Sequence, residues 1–330
     1  MLNVKKDIEN NTLKNCYLLY GSEDYLIKTY EERIRVAATG NKEDMMNIAV
    51  FDDRKLTSGP VIDSAETLPF LAEKRVVVVR DSGFFKTGKK DDTEAIAKYI
   101  SDVPESTVIV FCENDIDKRN AAYKAVSKHG YAAEFKPLAE KDMIKWIAKE
   151  FKNRKITVDA KTSAFLIRVT GADMTAIVTE IEKLSSFGAD KGSIDINDIN
   201  DVCVVTPELK IFEMVGAMGS KNTEKAIGIY RNMILYNESP FGILAMITRH
   251  FRLMYQCAEL IDMGENFASV AAKLGLRDFA VRDYCRQAKN FSREKLKKAV
   301  EDCLKADVDV KSGKIKDVLA VELLLIEYSI

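Results

Sequence analysis

Between residues 15 and 135 the chain alternates short β-branched runs with segments of helical periodicity, and this alternation constrains its fold more than any other feature. The runs are Cys16–Tyr20, Asn47–Phe51, Arg75–Arg80, Thr107–Cys112 and a weaker Tyr131–Phe135. Val76-Val77-Val78-Val79 and Val108-Ile109-Val110-Phe111 are apolar on both faces, as central strands are when helices cover each side. Connections of roughly 12–30 residues with helical content predict right-handed crossovers and a largely parallel sheet. Residues 1–137 are therefore expected to form an α/β domain of the doubly wound type.

The pattern changes after Lys136-Pro137. From Glu140 to about Val204 the spacing predicts helices only: Lys141–Asn153, Ala160–Val169, Met174–Phe187 and Asn197–Val202. Residues 138–205 are thus expected to be a small helical domain. A third segment, 206–330, is helical again. Its clearest helix starts at Ser239-Pro240, an N-cap residue followed by Pro at the first helical position. There Ile243, Leu244, Ile247, Phe251, Met254 and Ile261 recur at three- and four-residue steps, which buries one stripe. Further helices are expected over Glu208–Met218, Thr223–Asn237, Phe267–Leu274, Phe279–Ala288, Arg293–Ala306 and Lys316–Tyr328.

Composition excludes several function classes. Fifty Lys and Arg against 51 Asp and Glu give a net charge of −1, which argues against a chain whose main work is a non-specific grip on polyphosphate. No apolar run approaches the ~18–20 residues that cross a bilayer. Residues 1–7 lack the apolar stretch of a signal peptide. The six cysteines contain no C-x-x-C pair, so neither a zinc ribbon nor a disulfide framework is expected and the thiols fit a cytoplasmic setting. Only His129 and His250 are present, which excludes a His-rich metal site; His250, on an apolar helix, reads as structural.

The turn after the first run, Tyr20-Gly21-Ser22-Glu23-Asp24-Tyr25-Leu26-Ile27-Lys28-Thr29, sits where a nucleotide-binding α/β domain carries its P-loop. A working loop needs G-x-x-x-x-G-K-[S/T]. Counted from Gly21, those last three positions hold Leu26, Ile27 and Lys28, so Lys28-Thr29 falls one residue late, about 100° round the helix. Glu23 and Asp24 add negative charge where phosphates would bind. Gly83-Phe84-Phe85-Lys86-Thr87-Gly88-Lys89-Lys90 matches G-x-x-x-x-G-K but has Lys90 in place of the Mg²⁺-holding hydroxyl; it reads as a basic, mobile surface loop. Glu113, after the fourth run, reads as a solvated strand-end carboxylate. No catalytic residue, metal or cofactor is expected.

Two stretches carry open alternatives. Leu68, Phe70 and Leu71 flank Pro69 between a predicted helix, Val61–Thr67, and the third run. They read either as core residues under a crossover or as an apolar wedge offered to a partner's pocket. Arg282, Arg286 and Lys289 open a basic stretch that reaches Lys298; it reads as a solvated helix face or as a contact for nucleic acid.

Taken in order, these landmarks resemble the delta subunit of the bacterial DNA polymerase III clamp loader. The resemblance rests on Tyr17–Ile27, on Leu68-Pro69-Phe70-Leu71-Ala72-Glu73-Lys74-Arg75 leading into Val76-Val77-Val78, and on Gly171-Ala172-Asp173-Met174 before Glu180–Leu184. Ile211-Phe212-Glu213, Arg249-His250-Phe251-Arg252 and Lys311-Ser312-Gly313 extend it towards the C-terminus. It implies an AAA+-like α/β domain (1–137), a helical lid (138–205) and a helical collar (206–330). It implies that Gly21, Ser22, Lys28 and Thr29 form a degenerate P-loop without usual ATP binding. It favours the wedge reading of Leu68, Phe70 and Leu71, inserted into a sliding clamp to open or hold open its ring. The implied partners are that clamp (beta), the loader's ATPase subunits, its delta-prime subunit and primer–template DNA, with Arg282, Arg286 and Lys289 facing DNA or a neighbouring subunit. Near-neutral charge is compatible with this, because other subunits supply most phosphate contacts. No intrinsic catalysis is implied, only membership of a holoenzyme that is a nucleotidyltransferase as a whole. The competing readings are an active P-loop ATPase and a helical scaffold unrelated to replication.

Overall fold

The structure is a computed structural model and describes residues 2–41 and 44–330; Met1, Lys42 and Glu43 lie outside the described residues. The chain divides into two compact units, Met1–Leu138 and Ala139–Ile330.

The first unit runs α1 (Leu2–Glu9), β1 (Cys16–Gly21), α2 (Asp24–Thr39), β2 (Ile48–Asp52), α3 (Ser58–Glu66), β3 (Arg75–Arg80), α4 (Lys90–Tyr99), β4 (Thr107–Glu113), α5 (Ala121–His129) and β5 (Tyr131–Phe135). The strands form one sheet in the order β2-β3-β4-β1-β5, with every pairing parallel. Val77 lies beside Ile109 and Leu18 beside Phe111, so β-branched and aromatic side chains stack across the middle of the sheet. β4 is buried along its whole length, and β1 for all but its last residue, whereas the edge strands β2 and β5 are only partly covered. Cys16, Leu18, Tyr20, Val77, Val79, Ile109 and Phe111 pack with Val61, Ala65, Ile96 and Val126 of α3, α4 and α5. On the N-terminal side, the Tyr17 hydroxyl donates to Asp7 Oδ2 at 3.0 Å and accepts from the Lys14 N–H at 2.9 Å, fastening α1. This is the mostly parallel α/β arrangement expected from the sequence.

One glycine is set by packing. Gly21 ends β1 at φ +131°, and a Cβ there would lie 2.1 Å from the Phe135 carbonyl oxygen of β5.

The second unit begins with α6 (Glu140–Asn153), β6 (Thr157–Val158), α7 (Ala160–Val169), α8 (Met174–Phe187), β7 (Ser193–Ile194) and α9 (Ile196–Val202). The expectation of helices only is corrected in one respect: β6 and β7 pair in parallel as two-residue strands, too short to leave a periodic signal. Asp159 and Asp173 cap α7 and α8 through the Thr162 and Ala176 N–H groups, and Asp195 and Asp198 form a capping box on α9. Then follow α10 (Pro207–Gly219), α11 (Thr223–Leu235), α12 (Pro240–Asp262), α13 (Phe267–Leu274), α14 (Asp278–Ala288), α15 (Arg293–Lys311) and α16 (Asp317–Glu327). α12 is capped by Ser239, whose Oγ accepts from the Gly242 N–H, and its stripe of Ile243, Ile247, Phe251 and Met254 lies in a core shared with Met214, Tyr230, Leu296, Val321 and Leu325. α15 runs to Lys311, past the expected end at Ala306, and its last turn carries an i,i+4 pair in which Lys311 Nζ donates to Asp307 Oδ2 at 2.7 Å. Among the described residues no helix is long and apolar enough to cross a membrane.

His250 is structural, as its surroundings in the sequence suggest. Its Nε2 lies 2.7 Å from Gln287 Oε1, Gln287 Nε2 donates to the Phe212 carbonyl at 2.8 Å, and the ring packs on Phe212 and Tyr284. Burial pushes its pKa down from 6.5 to about 4, against the opposing pull of Gln287.

Two outcomes are expected from these features. Gly21→Ala destabilises the chain by about 3 kcal/mol through clash and strain, read as a lower urea midpoint; wild-type stability would contradict the packing account. For His250, the unfolded ring takes up its proton near 6.5 and the folded ring only near 4. Within that window the unfolded state holds more protons, so stability falls as pH is lowered, by on the order of 3 kcal/mol in total. Urea midpoints at pH 7 and pH ~4.5 should therefore drop further for the wild type than for His250→Gln; equal drops would contradict it.

Candidate functional site

In a parallel sheet covered on both faces, ligands and partners meet the chain at the strand ends. At the carboxyl ends lies the turn after β1, expected from the resemblance to be a degenerate P-loop. The Gly21 close approach to β5 is accompanied by a bond from the Glu23 N–H to the Phe135 carbonyl at 3.3 Å, so one turn N–H serves the sheet edge. Ser22 and Lys28 are exposed, Leu26 and Ile27 are buried in the core, and the Thr29 hydroxyl donates to the Tyr25 carbonyl at 2.8 Å. The four P-loop residues thus share a turn and a helix without converging on one point.

A cavity of about 260 Å³ beside this turn is lined by five carboxylates (Asp24, Glu31, Asp52, Asp81 and Glu113) against Lys28 and Arg80. Glu31, almost wholly buried, is gripped by Arg35 Nε at 2.9 Å and Arg80 Nη2 at 2.8 Å. Such a buried pair is held by geometry and is costly to open. The reading of Glu113 as a solvated carboxylate is corrected: it is 2% exposed, and its Oε1 accepts from the Ser82 N–H at 3.0 Å and the Ser82 hydroxyl at 2.5 Å. Burial nonetheless holds its pKa above the usual carboxylate value, with the Ser82 bonds opposing. The cavity's chemistry is that of a closed ion-pair network with excess negative charge, which repels phosphate.

The Gly83–Lys90 segment is corrected too. Phe84 and Phe85 are fully buried, Lys89 lies 5.2 Å from the Phe84 ring centre and its Nζ donates to the Leu56 carbonyl at 2.5 Å. Two adjacent aromatics pin a stretch whose lysines and glycines suggest a mobile surface loop.

At the amino ends of β2 and β3 the surface is different. The loop between α3 and β3 carries Leu68, Phe70 and Leu71 at 78%, 56% and 94% exposure, so the core reading fails for all three. Its backbone is fixed nonetheless. The Phe70 N–H donates to Asn47 Oδ1 at 2.6 Å and the Phe70 carbonyl accepts from Asn47 Nδ2 at 3.0 Å. The same Nδ2 donates to Asp44 Oδ2 at 2.8 Å, and Asp44 Oδ1 accepts from the Met46 and Asn47 N–H groups. The Asn47 amide, with these N–H groups, draws the Asp44 carboxyl below its ordinary pKa. Arg75 Nε donates to the Ser64 carbonyl at 2.7 Å and Lys74 Nζ to the Glu105 carbonyl at 2.7 Å, closing the far side. Leu71 takes φ +52°, a left-handed conformation unusual for a non-glycine residue and here held by the bonds around it.

Asn47, only 3% exposed, is the functional residue that sequence reasoning missed. It reads as the first residue of a strand, whereas β2 begins at Ile48 and Asn47 closes a turn. The Asp44-x-x-Asn47 spacing, with an Asx residue at the head of a turn, was the available signal. In the second unit, Arg282 and Arg286 lie on the exposed side of α14, and Lys289 is the exposed residue at its C-cap. Arg286 donates to Asp283 at 2.6 Å and Arg282 lies 5.6 Å from the Phe267 ring centre, so part of this charge is already engaged. Among the described residues no group of three or more His, Cys, Asp or Glu side chains is placed to hold a metal ion.

Comparisons with known proteins agree along the chain. Residues 17–136 match the family described as DNA polymerase III, delta subunit, and residues 208–328 match the DNA polymerase III delta subunit, C-terminal domain. The DNA polymerase III subunit delta of Bacillus subtilis (strain 168) is 28% identical over 335 aligned positions, covering 99% of this chain and 96% of that protein. A probable DNA polymerase III subunit delta of Aquifex aeolicus is 21% identical, covering 87% and 83%. The solved structure of the Bacillus subtilis DNA clamp loader delta protein superposes with a TM-score of 0.75 at 27% identity, covering 99% of both chains. The chain belongs to the family of DNA polymerase III delta subunits, components of the clamp loader.

Proposed function

We propose that this delta subunit grips the sliding clamp (beta) through Leu68, Phe70 and Leu71, and so opens or holds open the ring for loading on primed DNA. The observation that carries the reading is a pair of opposites at one place: three large apolar side chains offered to solvent on a loop whose backbone is tied down. Burying each such side chain in a partner's pocket supplies roughly 1.5–3 kcal/mol. A fixed loop loses little freedom on docking, so more of that gain appears as affinity. The grip biases a clamp interface by differential contact with its open and closed states, a population shift that needs no bond chemistry in this chain.

The rest of the chain supports the same role. The acidic cavity at the carboxyl ends, with five carboxylates against Lys28 and Arg80, favours a subunit that leaves ATP to its neighbours, whose binding state would govern access to the wedge. Residues 138–205 act as the lid and 206–330 as the collar. The collar reading is supported by α16, which buries Val321 and Leu325 yet exposes Leu319, Leu323 and Ile326 at helical spacing. That second apolar face suits the ATPase and delta-prime subunits of the assembly. Arg282, Arg286 and Lys289 would add a modest phosphate contact to primer–template DNA inside it.

Replacing Leu68, Phe70 and Leu71 together by Ala should weaken binding to the purified sliding clamp by about 1000-fold, three losses of about 1.5 kcal/mol each. The thermal midpoint should stay unchanged, because none of the three is in the core. Clamp binding that survives the triple substitution would refute the reading, as would unfolding of the variant.

A further inference from the structure

Two exposed methionines stand on the turn bonded to the wedge loop. Met45 and Met46 are 92% and 60% exposed, on the turn Asp44–Asn47 that precedes β2. Scattered apolar residues at a surface need no explanation, but this pair is not scattered. Asn47, the next residue, holds both backbone groups of Phe70. Arg75, at the foot of β3, donates from Nη1 to the Met46 carbonyl at 3.1 Å, and the Val76 N–H donates to the Asn47 carbonyl at 2.8 Å. The turn is itself folded around the Asp44 carboxylate. The methionine turn and the wedge loop are thus one cross-bonded piece at the amino ends of neighbouring strands, with five large apolar side chains directed at solvent.

We infer that Met45 and Met46 are a second arm of the surface that seats the sliding clamp. The inference rests on the wedge reading. The occupant follows from continuity: a partner that closes over Phe70 stands against a backbone bonded to the neighbour of Met46. Methionine suits such a flank, since its unbranched, polarisable side chain adapts to an irregular pocket wall without a fixed shape of its own. Leu68, Phe70 and Leu71 supply the anchors, and the methionines exclude water along one side of them, as the residues around an interface hot spot do.

The test uses the full chain and purified sliding clamp, with binding followed by surface plasmon resonance for wild type, Met45→Ala/Met46→Ala, Met45→Leu/Met46→Leu and the wedge triple alanine variant. The expected result is about 10-fold weaker binding for the alanine pair, chiefly through faster dissociation, and binding within about threefold of wild type for the leucine pair. An alanine pair that binds like wild type, while the wedge variant fails, would overturn this inference and leave the wedge in place. A leucine pair as weak as the alanine pair would also overturn it, because apolar area would not be what the clamp reads. If the wedge variant itself binds like wild type, the underlying reading falls and this one with it.

Discussion

Both faces of the sheet are closed over its central strands. β1 and β4 are buried almost from end to end, α3, α4 and α5 pack on one side, and the edge strands β2 and β5 are the partly uncovered ones. Whatever the first unit does must therefore happen at the strand ends, and the two ends have diverged. At the carboxyl ends, where folds of this kind hold nucleotides, the chain has spent the space on its own contacts: Gly21 against Phe135, Glu31 between Arg35 and Arg80, and Glu113 on Ser82. At the amino ends it presents apolar side chains on bonded loops.

That division sets the turn after β1, engaged by the chain's own groups, apart from the apolar loops at the other end. The glycine of the turn persists because β5 passes too close for any side chain, a reason independent of phosphate. The buried Glu31 ion pairs are costly to open and sit at the carboxyl ends, where folds of this kind hold nucleotides.

Much of this was legible in the sequence. β-branched runs flanked by helical periodicity locate all five strands of the main sheet within about a residue or two, because central parallel strands need apolar residues on both faces. The cap at Ser239 and the stripe of α12 are equally local signals. Exposure is not local. Leu68, Phe70 and Leu71 have the composition of core residues, and only tertiary packing decides that their side chains face solvent; the family resemblance, not the residues alone, favoured the wedge. Asn47 was illegible for the converse reason, as a polar residue that earns its burial by pairing with a backbone 23 positions away. Phe84 and Phe85 show the same limit: lysines and glycines around them suggest a surface loop, yet their burial depends on α3, α4 and β4 closing over them.

The central claim is that clamp contact occurs at the amino ends of β2 and β3 and nowhere near the turn at residues 21–29. Backbone hydrogen exchange of the full chain, followed with and without purified sliding clamp, addresses it directly. The account predicts added protection in 44–47 and 66–75, with exchange in 21–29 unchanged. Protection centred on 21–29, or on no part of the 66–75 loop, would contradict it.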